Sequence, residues 1–203
     1  MPDRYLTVPG EGVHEVGINR SRFRCVVAPV ADETGARALV DRLRAEHPTA
    51  DHTCHAYVLG ADAAIRRCDD DGEPGGTAGA PMLRMLLHRG IRDVAAVVTR
   101  WFGGTKLGAG GLIRAYGGVV GETLDRVGTV ERRRTRTLRV TVGHDRAGRL
   151  EHELRAGGLA VLGVHHASRV TIELAVPEAE LEEIGARIAD ATAGTARTET
   201  LPG

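Results

Sequence analysis

The chain has 203 residues, 42% hydrophobic and 27% charged, with 27 basic side chains against 27 acidic ones. That ordinary globular mix argues against wholesale disorder, and the charge tie argues against a protein held to nucleic acid by bulk charge. Three cysteines at irregular spacing point to free thiols in a reducing compartment, and no apolar run approaches the roughly 18–20 residues of a membrane span.

The opening MPDRYLTVPGEG has no apolar signal core, so a cytoplasmic location and no membrane partner are expected. Residues 13–18 and 21–30 read as extended segments separated by a turn at Arg20 and Ser21. Asp32 is a plausible N-cap for a helix over about 33–47, with Ala36, Leu39, Val40 and Leu43 as its stripe and Pro48 as its stop. Residues 52–60 form a strand, with a shorter one near 63–68. A helix is predicted to begin near Pro81, a first-turn residue, with Thr77 as its cap and Met82, Leu83, Leu86 and Leu87 apolar. The continuous apolar run 93–102 reads as a buried strand, and 109–127 as a helix built on Leu112, Tyr116, Val119, Val120, Leu124 and Val127.

The charged stretch 126–136 reads as a domain boundary, giving domains over 1–130 and 136–203. Up to Thr135 there are 19 basic and 17 acidic residues, a balance of +2; the remainder carries 8 and 10, or −2. Neither part is a strong polyelectrolyte. In the second, 137–142 alternates as a strand, a helix follows near 145–157, two strands meet at a turn near His165–Ser168, Pro177 opens a helix, and 195–200 is a weak last strand. That order is βαββαβ, the ferredoxin-like arrangement, so the fold class is α+β in two domains.

Two segments can carry chemistry. Asp69-Asp70-Asp71-Gly72-Glu73-Pro74 places four carboxylates in five residues. Their repulsion favours a bound cation or good solvation, and Asp side chains on a turn also cap backbone N–H groups. Pro74 stands where an EF-hand loop needs glycine. The second segment, Gly103–Gly111, lies between a buried strand and a helix. There glycine serves either to expose backbone N–H groups to an anion or to bring helix and sheet close. It holds Lys106, the single lysine among 26 arginines, flanked by Arg100 and Arg114. Neither GxxxxGK[ST] nor GxGxxG is met, since Gly108 precedes Ala109 and Ile113 takes the third glycine place. Trp101, Phe102 and Tyr116 gather half of the six aromatic residues here: exposed they stack on bases or anchor a partner, buried they are core. His52, Cys54, His55 and Cys68 lack zinc spacing, because strand alternation sends His52 and Cys54 to one face and His55 to the other.

Asp70-Asp71-Gly72-Glu73-Pro74 with Gly76-Thr77-Ala78-Gly79, Pro81-Met82-Leu83, the run VVTRWFGGTKLGAGGLIRAYGG (97–118) and Ala50–Tyr57 closely resemble the signature of the YigZ/IMPACT family. Trp101 stands where relatives usually carry Tyr. The resemblance covers nearly the whole chain. It implies an N-terminal α/β sandwich similar to the second domain of a small-subunit ribosomal protein, and a C-terminal domain that looks like the ferredoxin-like modules of elongation factor G. Eukaryotic members are translation regulators that compete for the activator of a starvation-sensing kinase. A peptidase activity attributed to some bacterial members finds no support in these residues.

The resemblance favours a cytosolic, non-enzymatic regulator of translation or stress response that binds RNA, the ribosome or a translation-linked protein, with no cofactor. Asp70, Asp71, Glu73, Gly76, Thr77, Arg100, Trp101, Phe102, Gly104, Lys106, Gly110 and Arg114 are the expected binding residues. The alternative is a metal-assisted enzyme or binding protein for a small phosphorylated ligand, with Asp70, Asp71 and Glu73 on Mg²⁺ and Lys106 on phosphate. A third reading makes both loops structural elements of a protein-interaction surface. The first two require the acidic and glycine-rich loops to meet in space.

Overall fold

Apolar alternation and turn chemistry convert most of the first 132 residues into one sheet covered on both faces. The computed structural model describes residues 4–201. Its elements begin with β1 (Arg4–Thr7), β2 (Gly12–Ile18), β3 (Ser21–Pro29), α1 (Glu33–Glu46), β4 (His52–Leu59), β5 (Ile65–Asp69), α2 (Gly79–His88), β6 (Val94–Trp101), α3 (Gly108–Val127) and β7 (Val130–Arg133). Strands pair antiparallel in the order β2-β3-β6-β4-β5. β6 lies at the centre, which explains its unbroken apolar run: Ala96 and Val98 enter one core while Ala95 and Val97 enter the other.

Helix α1 covers one face, with Asp32 capping it through Gly35 N at 2.8 Å and Leu39, Val40 and Leu43 packing on Val26, Tyr57 and Val97. Helices α2 and α3 cover the other, where Met82, Leu86, Tyr116 and Val120 pack on Phe23, Cys54, Ala56 and Val98. The β2–β3 turn is Asn19-Arg20, both with positive φ, one residue earlier than expected. β7 is a strand within the stretch read as a boundary; it pairs with β1, which the polar opening residues did not suggest.

The second compact unit begins at Arg133. It contains β8 (Thr135–Val142), α4 (His144–Ala156), β9 (Ala160–His166), β10 (Val170–Pro177), α5 (Leu181–Ala191) and β11 (Arg197–Thr200). The sheet is antiparallel in the order β11-β8-β10-β9. That is βαββαβ, and with the first unit the chain is an α+β protein of two domains. Leu138, Val140, Val142, Ile172 and Leu174 meet Leu150, Leu154, Ile184 and Ile188 in its own core. Pro177 opens a short 3-10 turn, Glu178–Glu180, before the α-helix proper. Among the described residues no helix is long and apolar enough to cross a membrane.

Candidate functional site

The acidic turn after β5 is tied into the fold through all four of its carboxylates. Asp69 Oδ1 accepts the Asp71 N–H at 2.7 Å, and Asp71 and Gly72 hold positive φ. Asp70 reaches forward over the start of α2: Oδ2 accepts from Gly76 N at 2.7 Å, and Oδ1 from Ala78 N at 3.0 Å and Gly79 N at 2.8 Å. Burial alone would raise its pKa; the three N–H donors outweigh burial and hold the carboxyl below its ordinary value. This corrects one expectation. Helix α2 starts at Gly79, which puts Pro81 in its first turn as expected, but Ala78 stands at the N-cap and the carboxylate of Asp70, not the hydroxyl of Thr77, takes the N–H groups there. The Thr77 hydroxyl is turned to the Pro74 carbonyl at 2.6 Å, while the Asp70 carboxylate takes the N–H groups of Ala78 and Gly79. Asp71 binds away from the helix, accepting from Thr53 N at 2.6 Å and Arg44 Nη2 at 3.0 Å. Among the described residues, no group of three His, Cys, Asp or Glu side chains is placed to hold a metal ion.

Glu73 does something different. Its side chain is 2% exposed and meets Arg100, 6% exposed, at 2.6 Å. Glu73 Oε1 accepts from Arg100 Nη1 and also from the Tyr116 hydroxyl at 2.7 Å. Arg100 Nη2 donates to Ser21 Oγ at 3.2 Å, and its guanidinium lies 5.3 Å from the Phe23 ring and 5.6 Å from that of Phe102. Cys54 Sγ donates to the Asp70 carbonyl at 3.0 Å. Burial, with the neighbouring Cys54 and Glu73, drives the Tyr116 pKa far up, and burial pushes the Cys54 thiol to about 12, so neither ionises near neutrality. A buried pair of this kind has to be geometrically well made to offset its desolvation.

The glycine-rich loop starts where β6 ends. A Cβ on Gly103 would fall 1.9 Å from the Arg20 carbonyl oxygen, so the loop presses against the β2–β3 turn. Gly104 and Gly108 have φ of +86° and +71°, which L side chains rarely adopt. The loop delivers Leu107 as the N-cap of α3, with no side-chain cap, so the first amides of a 20-residue helix are left to other partners. Arg114 folds back over that first turn, its Nη1 lying 3.6 Å from where a Gly110 Cβ would stand.

Both loops line one cavity of about 410 Å³, walled by Asp51, His52, Glu73, Pro74, Arg100, Phe102, Lys106, Leu107, Gly108, Ala109 and Leu112. Of the expected residues it gathers Glu73, Arg100, Phe102 and Lys106. Phe102 is 46% exposed at this wall, and its N–H is fixed by Asp51 Oδ2 at 2.8 Å. Asp70, Asp71, Gly76 and Thr77 shape the acidic turn without lining the cavity, while Gly104, Gly110 and Arg114 belong to the loop and first turns of α3 beside it. Trp101 does not join: its ring lies 3.8 Å under the Arg22 guanidinium, with His47 edge-on. Charge is uneven here. From Val94 to Gly121 the chain holds Arg100, Lys106 and Arg114 and no acidic residue. Among the described residues Lys106 and Arg114 form no ion pair, and Arg100 is the one cation of the three that Glu73 balances.

Sequence reasoning missed Asp51 and His52 as wall residues. The usable signal was strand register: β4 runs beside β6 with His52 opposite Arg100, so the start of one strand flanks the end of the other. His52 Nδ1 contacts the Asp71 carbonyl at 2.8 Å and therefore carries the proton in the neutral ring. That leaves Nε2 as an acceptor 3.9 Å from Glu73 Oε1. A second hollow, on the C-terminal sheet, is lined by Arg139, Thr141, Arg169, Thr195, Arg197 and Glu199. It lacks an aromatic wall, and Arg139 is already held by Glu173 and Glu199.

Comparison with known proteins bears on both units. Residues 19–124 match the Impact N-terminal domain, and residues 140–195 match a domain of unknown function, DUF1949. The chain is 42% identical to the IMPACT family member YvyE of Bacillus subtilis, over 96% of this chain and 89% of that protein. It is 38% identical to the IMPACT family member YigZ of Escherichia coli, over 88% of each. A crystal structure described as that of a hypothetical protein superposes with a TM-score of 0.82 at 31% identity, covering all of this chain and 99% of the other.

Proposed function

The chain belongs to the IMPACT family, and from that membership and the cavity together we propose that it is a non-enzymatic regulator linked to translation that works by binding RNA, free or on the ribosome. One observation carries the reading. A pocket with an exposed aromatic wall, Phe102, is bordered by a stretch that bears Arg100, Lys106 and Arg114 and no acid. Phosphates are drawn to such a border, and a base has a ring to stack on. The whole-chain charge tie limits this to a local patch, which suits a regulator that has to let go.

The metal-assisted alternative has less support. Asp70 is bound by three backbone N–H groups, Asp71 by Thr53 and Arg44, and Glu73 by Arg100 and Tyr116. Among the described residues that leaves Glu73 Oε2 as the one unengaged oxygen of the three carboxylates, too few for a cation unless other partners are displaced. The test is association of the purified protein with single-stranded RNA, and co-sedimentation with ribosomes, at low and moderate salt. The reading expects binding at low salt that Lys106→Ala and Arg114→Ala each weaken. No association in either salt, with RNA or ribosomes, removes it.

A further inference from the structure

The cavity wall carries acceptors as well as cations, and they narrow the ligand. Glu73 Oε1 takes two hydrogen bonds, whereas Oε2 has none among the described residues. Among the described residues the sealed polar side-chain atoms without a partner are Arg24 Nε, His47 Nε2, His55 Nδ1 and Arg100 Nε. Glu73 Oε2 is not one of them, so this nearly buried carboxylate opens on the cavity it lines. Beside it His52 Nε2 is an acceptor in the neutral ring, 3.9 Å from Glu73 Oε1. Asp51 has one oxygen on the Phe102 N–H and, among the described residues, no hydrogen bond to the other. Acceptors brought this close repel one another unless a donor lies between them. The wall therefore asks for hydroxyl or amino hydrogens, at the same place where the border asks for negative charge.

We propose that the cavity holds one unstacked ribonucleotide of a single strand. Its base lies on Phe102, its phosphate lies toward Lys106 and the open amides at the start of α3, and its sugar hydroxyls donate to Glu73 Oε2 and His52 Nε2. A nucleotide is the ligand class that combines a flat apolar face, a phosphate and a pair of neighbouring donors. A volume of about 410 Å³ lies near the lower end of small-ligand sites, roughly 300–1,000 Å³. It admits one such unit, and a base still paired in a duplex cannot enter. The 2′-hydroxyl is the group that separates RNA from DNA at such a site. This inference rests on the RNA-binding reading and adds the strand state, the sugar and the contacts.

Fluorescence anisotropy with a 3′-labelled single-stranded RNA tests it, against DNA of the same sequence, the same RNA as a duplex, and a ribonucleoside monophosphate as competitor. RNA is expected to bind roughly tenfold more tightly than DNA, from one lost hydroxyl contact to a buried acceptor. The duplex binds more weakly than the single strand, the monophosphate competes, and Phe102→Ala, at an exposed position, loses affinity at least as large. The sugar comparison uses unaltered protein, so it stands even if a wall variant misfolds. Equal binding of RNA and DNA, or of single strand and duplex, overturns the inference while leaving RNA binding intact. Absence of RNA binding altogether removes the proposed function instead, and the pocket assignment falls with it unless the monophosphate alone binds in a Phe102-dependent way.

Discussion

Asp70 shows how one side chain can organise the backbone at the start of a helix. Its oxygens take the Gly76 N–H in the loop and the Ala78 and Gly79 N–H groups that the helix start would otherwise leave open. Asn in its place keeps one acceptor but turns an NH₂ toward a backbone N–H, so Asp70→Asn is expected to cost about 1–2 kcal/mol, read as a lower urea midpoint at neutral pH. The sign with pH follows from the depressed pKa. The carboxylate's contribution is complete above the unfolded value of 3.8 and fades as pH falls through the lower folded value. The stability gap between wild type and variant should close in that acid range; a gap that stays constant to low pH contradicts the cap. The cysteines give a second residue-scale check. Burial pushes Cys25 and Cys54 to about 12, whereas Cys68 is exposed on an edge strand. A thiol reagent should label one cysteine per folded chain, and Cys68→Ser should abolish that labelling.

Among the elements, the glycine-rich loop shows that neighbouring glycines are kept for different reasons. At Gly103 an added Cβ meets the Arg20 backbone at 1.9 Å, and backbone cannot swing aside as a side-chain tip can. Gly103→Ala is expected to destabilise by about 1–3 kcal/mol through forced displacement of the β2–β3 turn. Gly110 has an open position inside the first turn of α3, touched at 3.6 Å by the flexible end of Arg114. Gly110→Ala should be neutral or stabilising by up to about 1 kcal/mol, since alanine loses less entropy in a helix. Thermal melts of both variants separate the two roles; equal effects would mean that the close approach to Arg20 is not what fixes the loop. The same contrast marks what the sequence made legible. Strands with strong alternation and helices with an apolar stripe were readable, including the whole βαββαβ order, because local pattern and burial agree there. β1 and β7 were not, because a strand such as Val130–Arg133, exposed at every position, has no buried face to create a pattern. Glu73 and Lys106 were visible as an acidic turn and a solitary lysine. His52 and Asp51 were hidden, because their place on the wall follows from β4 lying next to β6, a pairing across 48 residues of register that no local spacing reveals.

At the scale of the molecule, an overall charge of zero and a local run of cations make opposite forecasts about nucleic acid, and salt dependence decides between them. A protein held by its whole surface releases many counterions, whereas a patch releases few. Arg100 is balanced by Glu73, which leaves Lys106 and Arg114 as the uncompensated cations of the acid-free stretch. Each phosphate neutralised on a single strand contributes about −0.7 to the slope of log affinity against log salt, so the intact chain should show a slope near −1.4. Lys106→Ala should bring that slope to about −0.7 and weaken binding by a similar factor for every sequence, since a phosphate contact carries no base information. Phe102→Ala should lower affinity and leave the slope unchanged, because stacking releases no counterion. Titrations at several salt concentrations with the three proteins distinguish the two kinds of contact. A slope several times steeper would place the binding surface beyond this pocket, on the arginines of the C-terminal sheet or elsewhere, and a slope that Lys106→Ala does not alter would take the lysine out of the interface.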